Sequence, residues 1–280
     1  MKHLYSNNIL YDLQHGFRKA RSCESQLLQF IQELNANNNK NIQTDLIIMN
    51  FAKAFDKVSH RRLLYKLKYY GIQAYTLNWI QTFLTDITQT VVIDGVISNT
   101  VPVTGVPQGT VLVPIIFLIY INDFPEYLTH SKLRVFADDS IIYKEIACQD
   151  DRKKLQSDLD AAARWEVDWL MACHPYKCTI LTITQNKTPF KHDYILHNRI
   201  LKPVTSAKYL GVTQQSNLKW NTNTDNITSN GNKSLGYLKR NLQISNPEEK
   251  SRAYQALVRP KLECSCSIWD PYTHDNIRYM

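Results

Sequence analysis

Leu46-Ile47-Ile48-Met49 is a short, unbroken apolar run, and it constrains the fold more than any other segment of the chain. A strand with only one covered face alternates apolar and polar residues, so a continuous run of this length reads as a strand buried on both faces. A polar residue, Asn50, stands at its end. With 280 residues, 44% hydrophobic and 11% aromatic, there is enough apolar material to cover such a strand from both sides.

The surrounding pattern is of strands alternating with helices. Leu27, Leu28, Ile31 and Leu34 recur at helical spacing after Ser22, a plausible N-cap, and the asparagine-rich stretch from Asn35 to Asn41 is expected to end that helix. Met1 to Leu13 has helical character without a preceding cap, which suggests an N-terminally truncated chain. Helical periodicity runs from about Ala54 to Tyr70 and from Thr76 to Thr85. Gln89 to Ile93 followed by Asp94-Gly95 reads as a strand and its turn. Val111 to Ile121, broken by Pro114, is far short of the ~20 residues that span a bilayer and reads as buried core, so no membrane is expected. Asp151 to Leu170 is an amphipathic helix with Leu155, Leu159, Ala162, Trp165 and Trp169 on or near one face. Thr179 to Thr184 and Tyr209 to Val212 are strand-like, and the chain from about Asn226 onward is mostly helical and basic.

Lysine and arginine exceed aspartate and glutamate by 33 to 25, a formal charge of +8, which favours a polyanionic partner. The excess concentrates near the C-terminus: Lys233, Lys239, Arg240, Lys250, Arg252, Arg259 and Lys261 stand against Glu248 and Glu249. The stretch reads equally as a phosphate-tracking surface or as a solvated helical face. The six cysteines form no C-x-x-C pair and no secretory signal precedes them, so reduced thiols in an intracellular protein are expected.

The chemistry-bearing feature is Ala137-Asp138-Asp139, between the β-prone segments Leu133 to Phe136 and Ser140 to Tyr143. Two carboxylates at a hairpin tip repel each other unless solvent screens them or a cation neutralises them. Magnesium, which takes carboxylate and phosphate oxygens and keeps part of its water shell, is the natural candidate.

Taken together and in order, Gln14-His15-Gly16-Phe17-Arg18, Asn50-Phe51-Ala52-Lys53-Ala54-Phe55-Asp56, Gly105-Val106-Pro107-Gln108-Gly109-Thr110, Phe136-Ala137-Asp138-Asp139, Lys177-Cys178 and Tyr209-Leu210-Gly211-Val212 resemble the successive motifs of reverse transcriptases. The resemblance is to the LINE-type, non-LTR, jockey-like retrotransposon class. Tyr254 to Glu263 and Ile268-Trp269-Asp270-Pro271-Tyr272 resemble the thumb segment of the same class. It implies an α/β (α+β) right-hand polymerase: partial fingers over 1–45, an antiparallel-sheet palm with inserted fingers helices over 46–215, and a thumb-like helical region over 216–280. It also implies an RNA template, a DNA primer and deoxynucleoside triphosphates as partners, and two-metal nucleotidyl transfer with Mg2+ ions ~3.5–4 Å apart.

Carried onto this sequence, the resemblance makes Asp138 and Asp139 metal ligands and Phe55 the bulky residue beneath the incoming sugar. Gln108 and Gly109 become the turn against template and nucleotide, Arg18 a template or phosphate contact, and Lys177 a proton donor to the departing pyrophosphate. Lys177 reads about equally as a surface charge, and Phe17 as core rather than a stacking platform. The pattern breaks at Asn50, where the class carries a metal-bridging aspartate. An amide offers one neutral carbonyl oxygen where a charged carboxylate is required. Asp56 belongs to the class pattern and does not replace it, and Asp45 lies at the other end of the strand. Val113 in place of a glycine, Thr104 directly before Gly105, and Ile87 and Thr90 in place of arginines are further departures. The expectation is a polymerase domain impaired in this copy, the alternative a non-enzymatic nucleic-acid-binding remnant. An endonuclease domain is expected in the full-length element but not within this chain.

Overall fold

A computed structural model describes residues 1–107, 109–242, 246–270 and 274–279. Its centre is a five-stranded sheet. Strand β1 (Gln43–Asn50) lies in the middle, β2 (Lys132–Phe136) and β3 (Asp139–Ile146) form a hairpin on one side, and β4 (Thr179–Ile183) and β5 (Lys202–Val204) lie on the other, in the order β5-β4-β1-β3-β2. All neighbours are antiparallel except β5, which joins the β4 edge in parallel.

The apolar run behaves as its composition requires. Leu46 points to one face, where it packs with Ile141, Tyr143, Leu181 and Ile183 against Leu27, Phe30, Ile31 and Leu34 of helix α1 (Cys23–Asn39). Ile47 and Met49 point to the other face. There they join Ile142 and Ile180 beneath α4 (Leu112–Ile121) and α5 (Gln149–Trp169), which contribute Phe117, Leu155, Leu159 and Trp165. Each such aliphatic side chain, wholly withdrawn from water, contributes about 1.5–3 kcal/mol before the entropy of ordering is subtracted. The central strand is therefore the least movable part of the molecule, and its C-terminal residue inherits that rigidity.

Several local expectations are corrected. Only Lys2–Ser6 is helical at the N-terminus, and residues 7–22 run as turns and extended chain. Helix α1 starts at the expected cap: Ser22 Oγ accepts the Ser25 amide at 3.1 Å and Ser25 Oγ accepts the Ser22 amide at 2.9 Å. It nevertheless continues through the asparagines to Asn39, because Asn37 is buried and its Nδ2 donates to Thr44 Oγ1 and Glu145 Oε1. Local asparagine preference yields to a tertiary hydrogen bond.

The helix expected from Ala54 to Tyr70 is broken. A single 3-10 turn at Phe55–Lys57 is followed by extended Val58 and then α2 (His60–Tyr69), which packs on α3 (Ala74–Leu84). Tyr209 to Val212 is not one strand. Tyr209 ends β6 (Ser206–Tyr209), Leu210 and Gly211 turn with φ of 48° and 90°, and Val212 begins β7 (Val212–Gln215). Asp94 and Gly95 do form a hairpin turn, between Val92–Ile93 and Val96–Ile97. Beyond these strands come α6 (Asn221–Asn241) and α7 (Pro247–Leu257), followed by short helices at Arg259–Glu263, Cys266–Trp269 and His274–Tyr279. Trp269 is fully buried in the cluster that holds α1. Pro271 and Tyr272 of the thumb-like motif lie outside the described residues. No helix among the described residues is long and apolar enough to cross a membrane.

Candidate active site

Register places the site. In the β1–β3 ladder Asn50 is the direct partner of Asp139, the last pair at that end of the sheet. Phe136 pairs with Asp139 in the β2–β3 hairpin, so the intervening turn consists of Ala137, with φ of 54°, and Asp138. The two aspartates are thus not equivalent tip residues: Asp139 belongs to a strand and Asp138 to the turn. The Asp139 carboxyl is pushed above its ordinary value, first by desolvation in the concave wall where it stands and second by the Asp138 charge. That second contribution is the repulsion a cation would relieve.

The loop over residues 13–18 holds this turn from behind. The His15 amide donates to Val135 O at 3.1 Å and the Val135 amide to Leu13 O at 3.3 Å. Gln14 Oε1 accepts both the Gly16 amide at 2.7 Å and the Ala137 amide at 3.0 Å. Gly16 is required for close approach: a Cβ there would lie 2.5 Å from the Ala137 nitrogen. His15 is buried with Nδ1 2.9 Å from Ser25 Oγ. Burial first, then Arg21, Arg134 and Arg18, lowers its pKa to about 4. Arg18 itself donates to Tyr11 O at 2.7 Å and lies over the Tyr5 ring, so its guanidinium is engaged by its own loop. Phe17, for which core was the favoured reading, is instead half-exposed, with φ of 54°. The turn geometry turns its ring out.

On the other side of β1, residues 172–178 are stitched to the strand's exit. Ala52 donates to Ala172 O at 3.0 Å, His174 donates to Asn50 O at 2.7 Å, and Lys177 donates to His174 O at 2.9 Å. The Asn50 amide N–H meets Cys178 Sγ at 3.4 Å. This brings Lys177 to the cleft that holds Asn50 and Asp139. The cavity has a volume of about 260 Å³ and is also walled by Ser140, Thr179, Ser206, Lys208 and Tyr209. Lys208 was missed in the sequence, where nothing but its place beside Tyr209 marks it. Asp138 does not line this cavity. Among the described residues no group of three histidine, cysteine or acidic side chains is arranged to hold a metal. The oxygen-only set of two adjacent carboxylates with the Asn50 amide is compatible with one hydrated Mg2+, but carries less charge than two such ions require.

Phe55 stacks on Phe117, ring centroids 4.3 Å apart and planes at 28°. Its carbonyl accepts the Val106 amide at 2.9 Å. Gly105, φ of 75°, packs so closely that a Cβ would lie 2.3 Å from the Phe55 carbonyl oxygen, and His60 Nε2 bonds the Gly105 carbonyl oxygen at 2.5 Å. Two segments 50 residues apart in sequence are thereby one structural unit. Gly109, φ of 95°, stands in open space, and Gln108 lies outside the described residues. Val113, the departure from glycine, is buried in the core. Asp45 is buried at the far end of β1, accepting from Gln43 Nε2, Thr182 Oγ1 and Tyr194 OH. It cannot reach the Asn50 end.

An antiparallel sheet that presents an acidic hairpin beside a central strand end, braced by helices on both faces, defines a polymerase-type fold. Residues 1–214 match the family model described as reverse transcriptase (RNA-dependent DNA polymerase), and the chain belongs to that family. It is 29% identical over 225 residues to the RNA-directed DNA polymerase from mobile element jockey of Drosophila melanogaster, covering 76% of this chain and 24% of that protein. It is 27% identical over 229 residues to the probable RNA-directed DNA polymerase from transposon BS of the same species, covering 75% and 24%. The chain thus spans about a quarter of the length of these relatives. Among solved structures, telomerase from Candida albicans in complex with a fragment of telomeric RNA superimposes with a TM-score of 0.54 at 11% identity. That match covers 99% of this chain and 48% of the other. The fold class is the right-hand polymerase expected from the motifs.

Proposed function

We propose that the chain is the polymerase core of a non-LTR retrotransposon reverse transcriptase, built for RNA-directed DNA synthesis and impaired in this copy by the loss of one carboxylate. The observation that carries the reading is the register pair Asn50 and Asp139, which sets the break from the family pattern at the metal-ligand position directly against the acidic hairpin. Residues 1–45, 46–215 and 216–280 would serve as partial fingers, palm and thumb.

In this reading Asp139 and Asp138 would hold Mg2+, with Asn50 contributing only a carbonyl oxygen. When bound, divalent ions lower the pKa of a primer 3′-hydroxyl and offset the charge of a triphosphate. The chain's own groups do the rest. Lys177 and Lys208 place two cations on the cavity wall against Asp139, an arrangement suited to a polyanionic nucleotide. Lys177 could then donate a proton to departing pyrophosphate. Phe55, immobilised on Phe117, presents a rigid ring edge suited to excluding a ribose 2′-hydroxyl. Gly109 and Gln108 would lie along template and nucleotide, and Arg18 would act by shaping its loop.

The neutral Asn50 amide also supports a second reading, a nucleic-acid-binding remnant without turnover. Primer extension on an RNA template with magnesium separates them, comparing the chain with Asn50→Asp and Asp138→Ala. Extension by Asn50→Asp alone is the expected result. Robust extension by the unaltered chain would overturn the impairment. No extension by either, with hybrid binding retained, would leave the binding role.

A further inference from the structure

Helices α2 and α3 enclose a groove of about 490 Å³ lined by His60, Arg61, Leu64, Tyr65, Lys68 and Leu84, together with Gln81 and Thr85. None of these residues lines the cleft at Asn50 and Asp139. We infer that this groove is a separate binding path for single-stranded RNA, outside the cleft of the proposed polymerase reaction.

The composition of the groove carries the argument. Its rim is cationic and contains no carboxylate. Arg61 and Lys68 are exposed, and among the described residues neither has an ion pair or a hydrogen-bonded side-chain partner. Lys53 and Lys57, just ahead of α2, are likewise exposed and unpaired among the described residues, with Asp56 the acidic residue between them. A surface helix that only needs solubility mixes its charges and places opposite signs at i,i+4, as Lys154 does with Asp150 and Arg259 with Glu263 in this same chain. Here the cations stand alone.

Tyr65 gives the groove its second property. It is 66% exposed, between Arg61 and Lys68 on one face of α2, and Tyr69 follows one turn later at 72%. Tyr69 meets the edge of the Tyr70 ring, but no aromatic ring among the described residues packs on Tyr65, and an unpaired base offers it a flat face of matching size. From Arg61 to Tyr69 the helix advances ~12 Å, room for about two nucleotides of an extended strand. Partly buried Leu64 and buried Leu84 form an apolar floor. Cations for phosphates, an aromatic ring between them and an apolar floor make a single-strand platform; a duplex would engage the cations but could not stack on the rings.

The test is fluorescence anisotropy of a labelled, unstructured oligouridine with the full chain, repeated in the presence of a saturating RNA–DNA primer–template hybrid. Arg61→Gln/Lys68→Gln should weaken oligouridine binding about tenfold at moderate salt and lower the slope of log affinity on log salt by about 1.4, two contacts at ~0.7 each. Tyr65→Ala should weaken it at least fivefold and Tyr65→Trp should restore it, with hybrid binding unchanged in all three variants. None of these side chains is buried, so folding is expected to persist, and thermal melts of each variant check that it does. Unchanged oligouridine affinity in both the glutamine pair and Tyr65→Ala would overturn the inference. So would complete displacement of the oligonucleotide by the hybrid, which would assign binding to the cleft. Weakened oligouridine binding in the glutamine pair with no response to Tyr65→Ala would make the groove a general phosphate surface and also refute it. Failure of the hybrid itself to bind, with oligouridine binding intact, would count against the polymerase reading and leave the groove standing.

Discussion

Replacing Gly16 by alanine pushes a methyl group into the backbone of the acidic hairpin. The added Cβ would sit 2.5 Å from the Ala137 nitrogen, 3.0 Å from Gln14 Oε1 and 3.1 Å from the Phe136 carbonyl carbon. Two of those three atoms are backbone, so relief requires the residue 13–18 loop and the Ala137-Asp138 turn to separate by roughly 0.5–1 Å. Overpacking of this kind costs about 1–3 kcal/mol. Separation would also stretch the two bonds accepted by Gln14 Oε1, from Gly16 and from Ala137. Gln14→Ala removes the same two bonds without the methyl, leaving two buried amides without an acceptor at about 1 kcal/mol or more each. Both variants break one contact, so the double variant should lose less than the sum of the singles, with a coupling of about 1 kcal/mol. Urea denaturation followed by circular dichroism measures all three. A loss below about 0.5 kcal/mol for Gly16→Ala, or strict additivity, would show that the loop does not hold the turn.

Three further outcomes follow from the same geometry. His15 is held to a pKa of about 4 against an ordinary 6.5, so the unfolded chain binds its proton more readily. Its contribution is present above pH 6.5 and lost as pH falls toward 4, and His15→Gln should flatten stability across that window by about 3 kcal/mol, read from urea midpoints at each pH. Phe117→Ala removes a fully buried ring and the surface on which Phe55 stacks, and should cost about 3–5 kcal/mol by the same denaturation assay, whereas Phe117→Leu should cost less than half of that. Asn50→Asp should lower the melting temperature in chelator and raise it in millimolar Mg2+, while the unaltered chain should respond weakly to the ion in differential scanning fluorimetry.

The elements legible in the sequence were those whose signal is local. Leu46 to Met49 announced a doubly covered strand because no side chain on it could face water, and Ser22 announced a helix start because its hydroxyl caps within its own turn. Boundaries failed where a distant contact decided them. Asn37 stays helical because Thr44 and Glu145 receive its amide, and Phe55 leaves the helical path for a stack on Phe117. At the site, Asp138, Asp139 and Asn50 could be picked out as positions, but their inequivalence could not. It depends on pairing Phe136 with Asp139, a register set by two strands together. Gln14 carried no visible role, because its partners Gly16 and Ala137 meet only after the hairpin has folded back across the loop.

In the proposed reading, asparagine rather than aspartate at residue 50 has a stability consequence as well as a chemical one. Cross-strand partners in an antiparallel ladder hold their Cβ atoms ~4.5–5.5 Å apart, so an aspartate at position 50 would face the Asp139 carboxylate directly, with Asp138 in the adjoining turn. At an effective dielectric between that of a protein surface and that of water, each such like-charge contact costs about 1–2 kcal/mol in the absence of a cation. A working metal site accepts that cost because the bound ions reverse it. Asparagine keeps nearly the same shape, removes the charge and leaves the strand end stable without any ion. Without a bound ion, asparagine at residue 50 is thus favoured by folding itself, and it leaves the bracing undisturbed: Gln14 under the turn, His174 on the Asn50 carbonyl, and Gly105 against Phe55.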